Sequence, residues 1–187
     1  MKLLYLSLVF LMVGTTNANG QKKVSVLKIN DSTYEVYCDI SIKGDVSKNL
    51  LKYCWELSNT LKILEDKSVK VKYTQTDNLQ TVDYDYTFMF LHYLSQYQRK
   101  LLPNEQKISF KQTKSESNIP YIPNVERCYG SYTITTNKVT TKMQYYQFIK
   151  CDGNLQDFYF NYIKNDLDSY FDKFLEEFTK NKNNAYN

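Results

Sequence analysis

The sequence predicts an α+β domain, an antiparallel meander of about six or seven strands closed by a long C-terminal helix. Three observations carry that prediction. Residues 34–42 alternate apolar and polar side chains, the period of a half-buried strand. Further alternating runs, separated by turn dipeptides, fill most of residues 69–151. Residues 155–178 then place apolar side chains every three or four positions, as one face of a helix does.

The chain opens with the parts of a signal peptide. Lys2 precedes an apolar run over 3–13, broken only by Ser7, and Gly14, Thr15, Thr16, Asn17 and Ala18 form a small-residue exit. A membrane span needs ~20 apolar residues, so this run is too short to anchor the chain. No Cys follows it to carry a lipid. Residues 1–18 are therefore expected to be removed on export, leaving a soluble periplasmic or secreted protein that starts near Asn19. Residues 19–32 read as a flexible leader.

In the first strand Val36, Cys38, Ile40 and Ile42 share one face, and Glu35, Tyr37, Asp39 and Ser41 the other. Gly44 and Asp45 end it. Val46, Leu50, Cys54, Leu57 and Leu61 then recur at helical spacing. Asp45 is placed to cap this helical stretch, and Ser58-Asn59 should divide it into two short helices. Val69, Val71 and Tyr73 alternate with lysines ahead of an Asp77-Asn78 turn. The return strand carries Val82, Tyr84, Tyr86, Phe88 and Phe90 on one face and Asp83, Asp85 and Thr87 on the other. Pairing Thr76 with Leu79 sets Val71 against Tyr84 and Val69 against Tyr86, so the apolar faces coincide.

Two more strands are expected over 97–102 and 107–113, around Pro103-Asn104, with Ile108 and Phe110 pointing inward. Residues 114–124, with Pro120 and Pro123, read as a loop. A last hairpin over 129–136 and 139–151 turns about Asn137-Lys138. That register sets Tyr132 against Met143, Gly130 against Tyr145 and Cys128 against Gln147. The final helix has a stripe running from Leu155 through Phe158, Tyr162, Leu167, Phe171 and Phe174 to Phe178. Residues 181–187 are expected to be a disordered tail.

The chain has 24 basic and 20 acidic side chains, scattered without a long basic run. That argues against nucleic acid as a partner. Cys38, Cys54, Cys128 and Cys151 show no zinc-type spacing. Buried thiols and one or two disulfides both remain open. The 18 tyrosines are not by themselves a sign of a ligand, because Tyr rises with Asn, Lys, Ile and Phe in chains from AT-rich genomes. Their placement is more informative.

The order of strand, two short helices, meander and long closing helix resembles the START-like (SRPBCC) superfamily, which includes polyketide cyclase/dehydrase and lipid-transport proteins. Residues 34–42, followed by Gly44-Asp45-Val46 and Trp55-Glu56-Leu57, resemble its first strand and short helices. Gly130-Ser131-Tyr132 resembles its late G-x-W/Y hairpin, and residues 165–178 its closing helix. The chain departs from the family in lacking a proline between Cys151 and Leu155, which bears on where a cavity would open. The resemblance implies a helix-grip domain over 33–180, a curved sheet wrapped around the last helix with a cavity between them. It also implies an apolar ligand such as a sterol, phospholipid, polyketide or quinone. Some members are enzymes.

Catalytic signals are sparse. His92 is the single histidine, so no multi-histidine metal site can form. On the parity of Phe88 and Phe90 it would face the cavity, although a satisfied histidine at a strand end is the simpler reading. No G-x-S-x-G, Gly-rich phosphate loop or H-E-x-x-H is present. Asp83/Asp85 and Glu176/Glu177 read as solvated faces. No catalytic residue, metal or cofactor is therefore expected.

What remains is a lining in which tyrosines offer an apolar body and one hydroxyl. The candidates are Tyr84, Tyr86, Phe88, His92, Tyr132, Met143, Tyr145, Phe158, Tyr159, Tyr162 and Tyr170. The expected function is an exported, monomeric carrier of an apolar small molecule, with membrane contact only transiently during ligand transfer. The alternative is a cyclase- or hydrolase-type enzyme using His92 or a tyrosine as general acid in the same cavity. A third reading is an interaction module with a filled interior.

Overall fold

A computed structural model describes residues 20–64, 69–88, 91–118, 123–155 and 157–184. The predicted targeting segment, residues 1–18, lies outside these. The alternating runs form eight strands in one antiparallel sheet, ordered β1-β2-β8-β7-β6-β5-β4-β3. The strands are β1 (Gly20–Asn30), β2 (Thr33–Lys43), β3 (Val69–Gln75), β4 (Leu79–Phe88), β5 (Leu91–Leu102), β6 (Lys107–Ser117), β7 (Val125–Thr136) and β8 (Thr140–Cys151). Helices α1 (Ser47–Trp55) and α2 (Leu57–Leu64) follow β2, and α3 (Asp157–Asn184) ends the chain. No helix among the described residues is long and apolar enough to cross a membrane.

The first strand falls where its alternation placed it, and Val36, Cys38 and Ile40 are fully buried on its inner face. The chain leaves β2 through Gly44, whose φ of 92° lies in the left-handed region that glycine adopts without strain. Asp45 Oδ1 then accepts from the Ser47 hydroxyl at 2.8 Å and from the Ser47 amide at 3.3 Å, tying down the start of α1. The break between α1 and α2 comes at Glu56, earlier than Ser58-Asn59. Asn59 instead sits within α2 and donates to the Tyr53 carbonyl at 3.1 Å, bracing the junction.

Several expectations need correction. The leader expected to be flexible is strand β1, paired with β2 along nearly its whole length. Val24 is buried opposite Cys38. Lys22 reaches across to Asp168 at 3.0 Å and Asp172 at 2.6 Å on α3. Lysines interrupting a short apolar alternation hid this strand. β5 begins at Leu91 rather than at residue 97, and β6 runs on to Ser117, so the loop is shorter than residues 114–124. Helix α3 extends through Asn184, into the segment expected to be a disordered tail. Residues 185–187 of that tail lie outside the described residues.

The β3–β4 register is as expected, with Val71 opposite Tyr84 and Val69 opposite Tyr86. The β7–β8 register is not. Tyr132 faces Tyr145, Gly130 faces Gln147 and Cys128 faces Ile149. The turn is longer than two residues: Thr136 pairs with Thr141, and Asn137 Oδ1 accepts from the amides of Val139 and Thr140. A slip of two preserves the faces of the strand, so the hydrophobic pattern could not detect it. All four cysteines are free and buried.

The core fills the space between the inner sheet face and the helices. Phe171, Phe174 and Phe178 of α3 are buried, and Tyr53 of α1 sits edge-on 5.3 Å from both Phe174 and Phe178. Gly130 lies beneath the Phe110 ring, where an added Cβ would meet both that ring and the Tyr146 carbonyl oxygen. Strands β6 and β7 pair only from Lys107–Thr133 to Lys111–Tyr129 and then diverge. A polar cleft of about 640 Å³ opens there, with Gln112, Ser115, Glu116, Asn124, Glu126 and Asp152 on its walls.

Candidate functional site

A pocket of about 320 Å³ lies against the inner face of the sheet, under α2. Alternation puts its residues there. Along β5, cross-strand pairing keeps Tyr93, Ser95, Tyr97 and Arg99 on the face shared with Tyr86, Tyr84, Val82 and Gln80 of β4. Phe110, Tyr132, Tyr145 and Gln147 continue that face across β6, β7 and β8. Leu57 and Thr60 of α2 close the pocket from above.

The aromatic rings form a connected wall. Phe110 is at its centre, 5.9 Å from Tyr132, 5.9 Å from Tyr145 and 6.5 Å from Tyr97. Tyr132 and Tyr145 are 4.9 Å apart, and Tyr84 lies 6.0 Å from Tyr97. The tyrosines also supply polar points. Tyr145 donates its hydroxyl to Gln147 Oε1 at 2.7 Å, and Gln147 Nε2 reaches Cys128 Sγ at 3.1 Å. Gln112 donates to the Ser95 hydroxyl at 2.7 Å. Burial pushes the phenols of Tyr84, Tyr97, Tyr132 and Tyr145 above their ordinary range. They stay neutral at physiological pH. They can donate and accept hydrogen bonds, but they are poor bases, and weaker acids than free tyrosine.

Arg99 is the charged group among the described residues of this wall. It is 7% exposed. Its guanidinium donates to Gln80 Oε1 at 2.7 Å, to the Trp55 carbonyl at 3.4 Å and to the Cys54 carbonyl. Gln80 is itself held by a bond from its Nε2 to the Trp55 carbonyl at 3.0 Å. The Trp55 ring packs 5.5 Å from the guanidinium carbon.

Of the residues expected to line a cavity, Tyr84, Tyr132 and Tyr145 do so. Tyr86 is buried on the same sheet face, opposite Tyr93, but outside the pocket wall. Met143 is core: it is fully buried between Ile40 and Ile134, with Cys54 Sγ at 3.5 Å. Tyr170 of α3 is half-buried, 5.1 Å from Phe171 and close to the lining residues Tyr132 and Thr60. The side chains of Phe88, Phe158, Tyr159 and Tyr162 lie outside the described residues. The described lining comes from the sheet and α2, whereas the last helix was expected to form a wall.

His92 is on the other face of the sheet. Phe88 pairs with Leu91, so the parity of inner positions changes across that turn, and His92 pairs with Thr87 on the outer surface. There its Nε2 lies 3.1 Å from Asp85 Oδ1, with the two side chains 42% and 44% exposed. The His–carboxylate pair exists, but not in the pocket. Among the described residues no group of His, Cys, Asp and Glu side chains could hold a metal ion.

Sequence reasoning missed Thr60, Tyr93, Ser95, Tyr97, Arg99 and Gln147 as lining, and it read Leu57 and Phe110 only as inward apolar positions. The alternation of Tyr93, Ser95 and Tyr97 was available, but it is not apolar throughout. Arg99 and Gln147 are polar residues on an inward face, and periodicity assigns such residues outward.

No protein-family model and no curated protein matches this sequence. Solved structures do. The Zhui aromatase/cyclase from Streptomyces sp. R1128 superposes with a TM-score of 0.55 at 12% identity, over 79% of this chain and 94% of that one. The di-domain aromatase/cyclase StfQ of the steffimycin biosynthetic pathway gives 0.56 at 15% identity, over 78% of this chain and 50% of that one. A START superfamily protein from Mycobacterium smegmatis gives 0.50 at 8% identity, over 86% and 96%. Likeness at such identities speaks to architecture alone: this chain has the START-like helix-grip fold, a curved antiparallel sheet wrapped around a long C-terminal helix.

Proposed function

We propose that this protein is an exported carrier that holds an apolar, lipid-like small molecule in the pocket between the sheet and α2. The observation that carries the reading is the composition of the wall. Six rings, those of Tyr84, Tyr93, Tyr97, Phe110, Tyr132 and Tyr145, surround a space of about 320 Å³. That is within the range of small-molecule sites, which are mostly apolar with a few placed polar groups. Burial holds the phenols of Tyr84, Tyr97, Tyr132 and Tyr145 neutral, and the described lining has neither a histidine nor a carboxylate. A general acid–base pair would need groups poised near the working pH. The helix-grip fold, shared with a START superfamily protein, supports an apolar ligand.

A second reading, a cyclase-type enzyme acting in the same pocket, is favoured by the shared fold with Zhui and StfQ. Tyrosine hydroxyls and Arg99 would then orient a folded substrate. Export rests on the Lys2, 3–13 and Ala18 pattern. Mass spectrometry of an organic extract of the purified protein tests the carrier reading. A co-purifying apolar molecule, recovered unchanged after incubation, is expected. A chemically altered ligand would transfer the case to the enzyme. N-terminal sequencing of exported protein should start near Asn19.

A further inference from the structure

We propose that the pocket selects amphiphiles with a carboxylate head group, and that Arg99 is the residue that binds it. This rests on the reading that the pocket holds an apolar molecule, and it specifies the polar end of that molecule.

Arginine stays protonated in proteins, so Arg99 brings a full positive charge to a site where it is 7% exposed. No carboxylate among the described residues forms an ion pair with it. Its three hydrogen-bond partners among the described residues, Gln80 Oε1 and the carbonyls of Cys54 and Trp55, are all neutral. Two of them are carbonyls at the C-terminal end of α1, where a cation is favourable. They anchor the side chain, and the Trp55 face adds a cation–π contact. Neither supplies a counter-charge. A buried ion without one is held at considerable cost.

The guanidinium also has more donors than these acceptors use. Of the five N–H groups of an arginine, three are taken up by the bonds above, and the rest have no partner among the described residues. Arg99 nevertheless forms part of the pocket wall, with Tyr84 and Tyr132. Its charge favours the ionised form of both phenols, which places all three in one electrostatic neighbourhood. A planar carboxylate fits the fork of an arginine, and neutral tyrosine hydroxyls are suitable further donors. The rest of the wall, Phe110 and Tyr97 above all, suits an alkyl or aromatic body. By contrast, the other arginine of the chain, Arg127, lies over Tyr129 and Phe148, whose positions along β7 and β8 belong to the outer face.

Dodecanoate, dodecan-1-ol and methyl dodecanoate share a chain and differ at the head. Their affinities can be compared by displacement of the uncharged dye Nile red at about pH 8, where the acid is ionised. Dodecanoate should bind about tenfold or more tightly than either neutral analogue, the scale of one charge-assisted hydrogen bond. In Arg99→Met that ratio should fall toward one, and Arg99→Lys should keep part of it. Since removing Arg99 also removes its bonds to α1, a second measurement keeps the chain intact. The sequence contains two arginines, so the side-chain Nε–H spectrum has two signals, which Arg127→Lys assigns. The Arg99 signal should shift with dodecanoate and not with dodecan-1-ol. Equal binding of all three ligands, or an Arg99 signal unmoved by bound dodecanoate, overturns the inference while leaving the apolar carrier intact. Failure of all three to bind overturns both.

Discussion

Phe171→Ala separates the part of the molecule that is filled core from the part that is open. Phe171 is fully buried. Its ring lies 5.1 Å from Tyr170, 5.3 Å from Tyr145 and 6.2 Å from Phe174. It therefore joins α3 to the back of the pocket wall. Truncation removes the ring from a site that water does not reach and leaves a void, because neighbours held by their own packing collapse only in part. Such changes cost about 3–5 kcal/mol. Aromatic pairs add roughly 0.5–1.5 kcal/mol beyond area, so the upper half of that range is expected. For a domain of this size the loss corresponds to a fall in Tm of roughly 6–20 °C.

Tyr84→Ala gives the contrast. Tyr84 is half-buried and borders space that is already open. Its truncation should cost clearly less than that of Phe171, and it should change which ligands bind. Urea unfolding of both variants, with and without a bound amphiphile, measures the difference. A Phe171→Ala loss below about 1 kcal/mol would refute the packing of α3 described above. Equal losses for the two variants, with ligand preference unchanged, would mean that Tyr84 is ordinary core.

Two further outcomes are expected. Gly130→Ala should destabilise by about 1–3 kcal/mol or more, because the new methyl group meets the Tyr146 carbonyl and the Phe110 ring. Phe110→Leu in the same chain should recover part of that loss in a double-mutant cycle, and an unchanged midpoint in Gly130→Ala would contradict the β7–β8 contact. The second concerns alkaline pH. Burial pushes the thiols of Cys38 and Cys54 up to about 12 and that of Cys151 to about 11. The folded state therefore keeps protons that the unfolded chain releases in the ordinary thiol range, so stability falls as pH rises through that range toward about 12. The urea midpoint should drop between about pH 8 and about pH 10, and the native thiols should react slowly with Ellman's reagent near pH 8. Rapid native labelling of all four would refute their burial.

Much of the architecture was legible because it depends on patterns that the solvent enforces. The inward residues of β2, the register of β3 with β4 and the stripe of α3 each bury one face, and a one-residue error in any of them would expose it. The failures have physical reasons too. A two-residue slip in the last hairpin leaves each side chain on its own face, so only the turn chemistry of residues 137–140 could reveal it. Strand β1 carries Lys22, Lys23 and Lys28, and it is stabilised by partners far along the chain, Asp168 and Asp172. His92 was turned the wrong way because the sequence was read as one strand, where Phe88 and Leu91 close a hairpin. The site was the least legible part. Ser95, Arg99 and Gln147 look like outward residues until their partners are known, and a binding pocket is where a protein departs from the pattern that identifies its core.

The short seam between β6 and β7 divides the sheet mechanically. On one side, β1, β2, β8 and β7 are joined by ladders running nearly their full length, and α3 packs against their inner face. On the other, β6, β5, β4 and β3 are joined in the same way. Between them only the stretch from Lys107–Thr133 to Lys111–Tyr129 is paired. The pocket straddles this line, with Tyr84, Tyr97, Arg99 and Phe110 on one plate and Tyr132, Tyr145 and Gln147 on the other. A molecule lying across it touches both plates at once, and so acts as a removable brace over the weakest join in the sheet. Its binding energy would be read out as slower amide exchange at β6 and β7, beyond the residues it touches.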